Sequence, residues 1–258
     1  MKILCDTHSH TIASTHAYST VHDYFRDAKR NGLQLFSITD HAPSMPDSPH
    51  FWHFGNMKII PRVVDNIAML RGIEANILNS PFTEGNERYV DLPNGLLPYL
   101  DFAIASLHEA VCPPSTIKDN TRAIIRAIES GVIQIIGHPG NPNYPILQED
   151  VVKAAKDNNV LLEINNSSFT QSREGSIPYC RSLIEFIEKH NWKISLGSDA
   201  HISFHVGLFN EAKRALQDIG FTEENIVTQT PARFLSFLTE HGKGTEVEMA
   251  NWLKQQTE

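Results

Sequence analysis

The sequence predicts an α/β domain whose parallel strands close into a distorted barrel of seven βα units, one fewer than the usual eight. Seven short runs rich in Ile, Leu, Val and Phe recur along the chain, at Lys2–Thr7, Leu33–Thr39, Leu70–Ala75, Phe102–Leu107, Val132–Gly137, Val160–Asn165 and Lys193–Gly197. Most are followed by a stretch with helical periodicity, the pattern of βα repeats. The chain has 258 residues with 41% hydrophobic content, a size at which such barrels form as one unit, so a single domain over 1–258 is expected.

Each element has its own signal. The strand runs lack strict alternation, as expected where helices cover one face and a barrel interior the other. The first helix, Val21–Arg30, ends at Asn31-Gly32; Lys118–Ser130 ends at Gly131; Glu149–Asp157 ends at an Asn pair. Further helices fit Pro178–His190, Val206–Asp218 and Pro231–Glu240. Right-handed helical crossovers between sequential parallel strands make closure the economical architecture. Two Pro-rich stretches, Pro43–Pro61 and Leu78–Pro98, read as long irregular loops that could form lids or pocket walls.

The charge balance excludes some partners. With 22 Lys and Arg against 30 Asp and Glu, the formal charge is −8, the wrong sign for a general nucleic-acid or anionic-membrane binder. No apolar run approaches the roughly 20 residues that span a bilayer, and a charged residue follows at Asp6, too early for a signal-peptide apolar region. Cys5, Cys112 and Cys180 are odd in number and show no C-x-x-C spacing, which suggests reduced thiols in a cytoplasmic protein.

The histidines carry the functional signal. The first strand run ends in Asp6-Thr7-His8-Ser9-His10, and residues two apart in extended backbone face the same way, so this pair can bind one metal. His16 follows in the next loop. The second run leads into Asp40-His41, the third holds Glu74, the fourth ends at His108, the fifth at His138, and the seventh at Asp199-Ala200-His201. A lone His at a strand end is commonly structural, but six of the seven runs deliver His, Asp or Glu to the C-terminal face, where barrel active sites are built. Imidazole and carboxylate without thiolate suit Zn²⁺, Mn²⁺ or Fe²⁺ in an open site rather than a closed structural zinc.

These residues, with the motifs A-S-T-H-A-Y-S-T, F-S-I-T-D-H, W-H-F-G-N-M, R-G-I-E-A-N-I, L-H-E, G-H-P-G-N-P, L-E-I-N-N-S-S-F and L-G-S-D-A-H, resemble the PHP (polymerase and histidinol phosphatase) superfamily, specifically its YcdX-type phosphatases. The likeness runs along nearly the whole chain. It implies a TIM-barrel-like (β/α)7 fold with a trinuclear centre at the C-terminal ends of the strands, usually zinc, with Mn²⁺ or Fe²⁺ able to take its place. By that resemblance His8, His10, Glu74 and Asp199 would hold one metal. Glu74 would bridge to a second, bound also by His108 and His138, and His16, His41 and His201 would hold the third. A small phosphate monoester would be the substrate and a metal-bridging hydroxide the nucleophile, which removes the need for a Ser or Cys nucleophile.

Two further residues are candidates for catalysis. Asp40 would orient imidazole or shuttle a proton, and Arg173, in the loop after the strand run that lacks a ligand, could grip phosphate through a bidentate fork or lie in a surface salt bridge. Asn165 and Asn166 could bind substrate or cap the strand end, and Glu163 reads as structural. In the long loop, His50, Trp52 and His53 read first as loop packing and second as a pocket wall, while His22, His190, His205 and His241 read as non-ligands. Alternatives are a histidinol-phosphate phosphatase, a PHP-type nuclease, or a metal-binding interaction module without catalysis. Apolar positions on the outer helices leave homo-oligomerisation open.

Overall fold

The computed structural model describes residues 1–82 and 88–256. In chain order the elements are β1 (Cys5–Asp6), α1 (Val21–Arg30), β2 (Leu35–Ile38), α2 (Trp52–Asn56), β3 (Val63–Val64), β4 (Ile67–Arg71), β5 (Glu74–Phe82), β6 (Arg88–Val90), β7 (Ile104–Ser106), α3 (Ile117–Glu129), β8 (Ile135–Ile136), α4 (Gln148–Asp157), β9 (Leu161–Asn165), α5 (Ser176–Lys189), β10 (Ile194–Gly197), α6 (Asn210–Ile219), α7 (Pro231–Glu240) and α8 (Thr245–Gln255).

Parallel pairing runs β1 to β2 to β4 in one sheet and β5 to β7 to β8 to β9 to β10 in the other. The two sheets meet at both edges through parallel bridges, Ser9 with Ala200 and His41 with Glu74. At the first seam Asp199 N donates to His8 O and His10 N to Ala200 O, each at 2.9 Å. Gly72 and Ile73 separate β4 from β5, which otherwise form one strand path, so seven parallel positions follow one another around the ring. The barrel is distorted because several of these strands are two or three residues long.

Inside the ring, Cys5, Leu35, Leu70, Phe102, Ile104, Ile135 and Leu161 pack against Phe234, Leu235, Phe237 and Leu238 of α7. That helix presents apolar side chains at i, i+1, i+3 and i+4, a stripe suited to burial on one face. Thr230 accepts a hydrogen bond from Arg233 N at its start, and Pro231 opens it. Leu4 N, just before β1, donates to Gln229 O, just before α7, which places this apolar plug at the N-terminal end of the barrel. The opposite end is left for polar groups.

Six of the seven predicted strand runs contain a strand of the ring, the third, Leu70–Ala75, spans the end of β4 and the start of β5, and the ends of α1 and α7 coincide with expectation. The Pro43–Pro61 loop is more ordered than expected, holding α2 and a 3-10 turn at Met57–Ile59. Of Leu78–Pro98, residues 83–87 lie outside the described residues; the remainder continues β5 and adds β6, which pair as an antiparallel ribbon. Helix α8 had no sequence signal: it buries Thr245, Met249 and Trp252, while Val247 is 80% exposed.

All three cysteines are free and buried. No helix among the described residues is long and apolar enough to cross a membrane. Because Phe234 is fully buried and meets Phe102 edge-on at 5.4 Å between ring centroids, Phe234→Ala should cost about 3–5 kcal/mol of stability. Urea unfolding checks this, and a loss below about 1 kcal/mol would show that α7 does not close the barrel floor.

Candidate metal centre

The C-terminal ends of the strands converge on one buried polar cluster. Asp6, at the end of β1, accepts backbone hydrogen bonds from His8 (3.2 Å), Ser198 (3.0 Å) and Gly207 (2.7 Å). It thereby fastens the His8-x-His10 turn to the segment after β10. Burial raises the Asp6 carboxyl to about 6 despite hydrogen bonds from Ser198, Gly207 and His8. Three other residues here hold left-handed backbone: His138 (φ 33°), Asp199 (φ 54°) and Arg173 (φ 57°). Asp and His enter this region more readily than most side chains and Arg rarely does, and such conformations gather where a side chain must be aimed.

Glu74 sits at the middle, with 1% of its side chain exposed. Its Oε1 lies 3.3 Å from His8 Nε2, 3.3 Å from His108 Nε2 and 3.1 Å from His138 Nε2. Its Oε2 lies 3.3 Å from His10 Nε2 and 3.1 Å from His41 Nδ1. Asp199 Oδ1 completes one corner, 3.6 Å from His8 Nε2 and 3.4 Å from His10 Nε2. Burial alone would push both carboxyls up; the neighbouring imidazoles, His8 foremost, outweigh it and hold both well below the usual range. Burial likewise opposes charge on His8, but Glu163, Glu74 and Asp199 overcome it and hold its pKa high. The site therefore demands positive charge.

The donor set fits a divalent cation. Glu74 Oε2, His10 Nδ1 and both nitrogens of His41 are buried without a hydrogen-bond partner, although Glu74 Oε2 is close to two imidazoles. Buried polar atoms without partners are costly and call for an explanation. The Nε2 atoms of His8 and His10 approach to 3.1 Å, as convergent ligands would. Four groups have donor atoms close enough to share an ion: His8, His10 and Glu74; His10, His41 and His201; His41, Glu74 and His108; and His16, His41 and Asp47.

Several imidazoles are held from behind. Glu163 Oε1 lies 2.7 Å from His8 Nδ1, and Glu163 Oε2 accepts from His138 N at 2.7 Å. Asn76 Oδ1 lies 2.7 Å from His108 Nδ1, Asp199 O lies 3.0 Å from His201 Nδ1, and Asp47 Oδ2 bonds His16 Nδ1. Glycine makes room for two of the supporting groups. A Cβ on Gly197 would stand 2.0 Å from Glu163 Oε1, and one on Gly137 would stand 2.2 Å from Ser106 Oγ, which donates to Glu74 Oε1 at 2.6 Å.

The nine expected ligands thus fall in one cluster. His16 and His201 stand at its rim, with side chains 51% and 30% exposed, and their ring centroids are 4.5 Å apart. Asp40 does not meet the His41 ring. Its oxygens accept from Thr11 N, Thr11 Oγ1 and Ser14 Oγ, each at 2.8 Å, and face His53 Nε2 at 3.0 Å. Arg173 bonds Asp199 Oδ2 at 3.0 Å and Ser168 Oγ at 3.3 Å. Asn165 bonds Glu163, Asp199 and Ser168 N, whereas Asn166 caps the start of α6 through Ala212 N. His22, His190, His205 and His241 belong to none of the four ligand groups.

Beside the cluster runs a groove of about 1390 Å³ whose wall includes His50, Phe51, Trp52, His53, Lys58 and Tyr99. None of the nine ligands lines it; the link is His53, which reaches Asp40. Sequence alone marks neither Asp47 nor Asn76 as part of the site and reads Glu163 as structural, whereas all three hold imidazoles of the cluster. Glu163 left a faint trace, an acidic residue two positions before the strand-end Asn165. Glu163→Ala should weaken metal binding about 10- to 100-fold, as loss of groups behind ligating imidazoles commonly does. Titration with zinc against a chelator measures it, and an unchanged affinity would assign Glu163 to packing alone.

Comparison with known proteins identifies the lineage. A family model described as the PHP domain matches residues 6–167. A protein of Shewanella piezotolerans named "Probable phosphatase" is 47% identical over 97% of this chain and 99% of its own length. A similarly named protein of Enterobacter sp. strain 638 is 49% identical over 92% and 94%. Among solved structures, histidinol phosphate phosphatase from Lactococcus lactis, complexed with zinc, L-histidinol and phosphate, superposes with a TM-score of 0.57, covering 84% of this chain and 94% of that one at 16% identity. The strand-end metal donors, the seven-position barrel and the extent of these matches agree, and the chain belongs to the PHP domain family.

Proposed function

We propose that this chain is a metal-dependent phosphatase that hydrolyses a small phosphate monoester with three zinc ions held by His8, His10, His16, His41, Glu74, His108, His138, Asp199 and His201. The observation that carries the reading is Glu74, a buried carboxylate with five imidazole nitrogens within 3.3 Å. Nearly full-length relatives named as phosphatases support it, as does the zinc and phosphate in the L. lactis structure of the same fold. When bound, the ions supply Lewis acidity at the phosphoryl oxygens and, by lowering the pKa of a shared water from about 15.7 toward 7, a hydroxide nucleophile at neutral pH. Mn²⁺ or Fe²⁺ would serve in the same donors.

The residues around the ligands have distinct tasks. Arg173, anchored by Asp199 and Ser168, keeps guanidinium donors available for a phosphoryl oxygen and sets its orientation. Asp40 acts as a support: through Ser14, whose hydroxyl accepts from His41 N at 3.1 Å, it fixes the backbone that carries His41. Glu163 holds His8 in the tautomer whose Nε2 faces Glu74. A chain of −8 formal charge disfavours polyanionic nucleic acid, whereas a local cationic centre attracts a small phosphate ester.

His10→Ala and Asp199→Ala should each lose bound zinc and abolish p-nitrophenyl phosphate turnover; metal content and turnover both unchanged would sink the assignment. Zinc-loaded protein that binds metal yet hydrolyses no phosphate monoester would instead favour a non-catalytic module, and preferential release from single-stranded DNA would favour a nuclease. Arg173→Met should lower kcat/KM by about 10- to 100-fold, the worth of one or two charged hydrogen bonds, while leaving zinc content in place. Steady-state kinetics paired with metal analysis separates that outcome from loss of the centre.

A further inference from the structure

His16 differs from the other imidazoles of the cluster. It sits on the loop after β1 rather than at a strand end, and half of its side chain is exposed. A side chain so placed keeps its rotamer freedom unless something holds it, and that freedom must be given up to bind a metal. Among the described residues, the side chain that bonds its Nδ1 is Asp47, which lies 31 residues away in the loop between β2 and α2. The two loops are also joined through their backbones, where Thr15 N donates to Asp47 O at 3.4 Å. The second Asp47 oxygen, Oδ1, is buried with no hydrogen-bond partner, and Asp47, His16 and His41 offer donor atoms within 4.8 Å of one another.

We infer that Asp47 is the positioning residue of the third metal position: it takes the Nδ1 proton of His16 as a hydrogen bond, fixes that tautomer, and leaves Nε2 free to bind. This rests on the three-metal reading above. The ring then lies where it is needed, tilted against His201 with centroids 4.5 Å apart and stacked on His41 at 5.3 Å. Each of the other two metals has a comparable support, Glu163 behind His8 and Asn76 behind His108. Within the third position His201 is held by Asp199 O, at the end of β10, but His16 draws its support from a loop, and that loop runs on into His50, Phe51 and Trp52 of the groove wall.

The test is zinc stoichiometry at buffered free zinc, read by elemental analysis of the full chain. Wild type should hold three ions. Asp47→Ala should hold two at the same free zinc, its weakest affinity falling about 10- to 100-fold. Asp47→Asn keeps an oxygen to accept from Nδ1 and should recover a large part of the loss. In a His16→Ala background, Asp47→Ala should change nothing further, because the pair acts as a unit. Equal thermal unfolding of the metal-free variants confirms that the fold is intact. Three ions at wild-type affinity in Asp47→Ala, or a further loss on the His16→Ala background, would overturn the role of Asp47. A wild type that never exceeds two ions would overturn the three-metal reading itself.

Discussion

The site depends on a carboxylate buried at a seam. Glu74 begins β5, where the His41 bridge joins the two sheets, and its two oxygens are ringed by imidazoles instead of water. Isolated charges of that kind are expensive in a protein interior. The cost is offset only by compensating positive charge placed within a few ångströms, either as protons on the imidazoles or as cations between them. The direction of the shifts at Glu74, Asp199 and His8 expresses one condition: the carboxylates stay ionised and something nearby carries the balancing charge. A metal satisfies it while also giving Glu74 Oε2 and one nitrogen of His41, both without a hydrogen-bond partner, a group to bind.

The barrel separates this electrostatic demand from the work of staying folded. Its N-terminal end is filled by aliphatic and aromatic side chains from the strands and from α7, a region where packing density governs stability. Its C-terminal end holds most of the buried His, Asp and Glu, Asp27 on α1 and Asp101 before β7 apart. Between them, Gly137 and Gly197 give up side chains so that Ser106 and Glu163 can reach ligands. Strained backbone at His138 and Arg173 belongs to the same arrangement. A left-handed residue at a strand end redirects the next side chain, and its energetic cost is tolerated where that direction is functional.

These two ends were unequally legible in the sequence. The strands of the ring could be read because each is an apolar run, and α1 and α7 because caps and Pro or Gly signals bound them. The nine ligands stood out because strand ends place residues of one chemical type at regular positions along the chain. Groups that hold the ligands carry no such regularity. Glu163 meets His8 across 155 residues, and Asn76 and Asp47 meet their imidazoles across 32 and 31. Each is a polar residue of common type, made specific only by closure of the barrel. Asp40 shows the reverse case: its place beside His41 in sequence suggested contact with that ring, but successive residues point apart, and its carboxylate serves Thr11, Ser14 and His53 instead.

The same geometry explains why the reacting group is easier to assign than the leaving group. The candidate metal donors stand on the strand ends of the barrel, and the fold itself is shared with a structure only 16% identical. The neighbouring groove is built from other material, the segment from Pro43 to Ile60 and the turn at Pro93–Tyr99, with Phe51, Trp52, Ile59 and Tyr99 all more than 40% exposed. Loops of this kind vary independently of the scaffold beneath them. Here, however, the loop is not fully independent: His53 closes on Asp40 and Asp47 on His16. A change in the groove wall that shifted either residue would alter the support of His41 or His16 as well, so the shape of the groove and the placement of two candidate metal donors are tied through two side chains of a single loop.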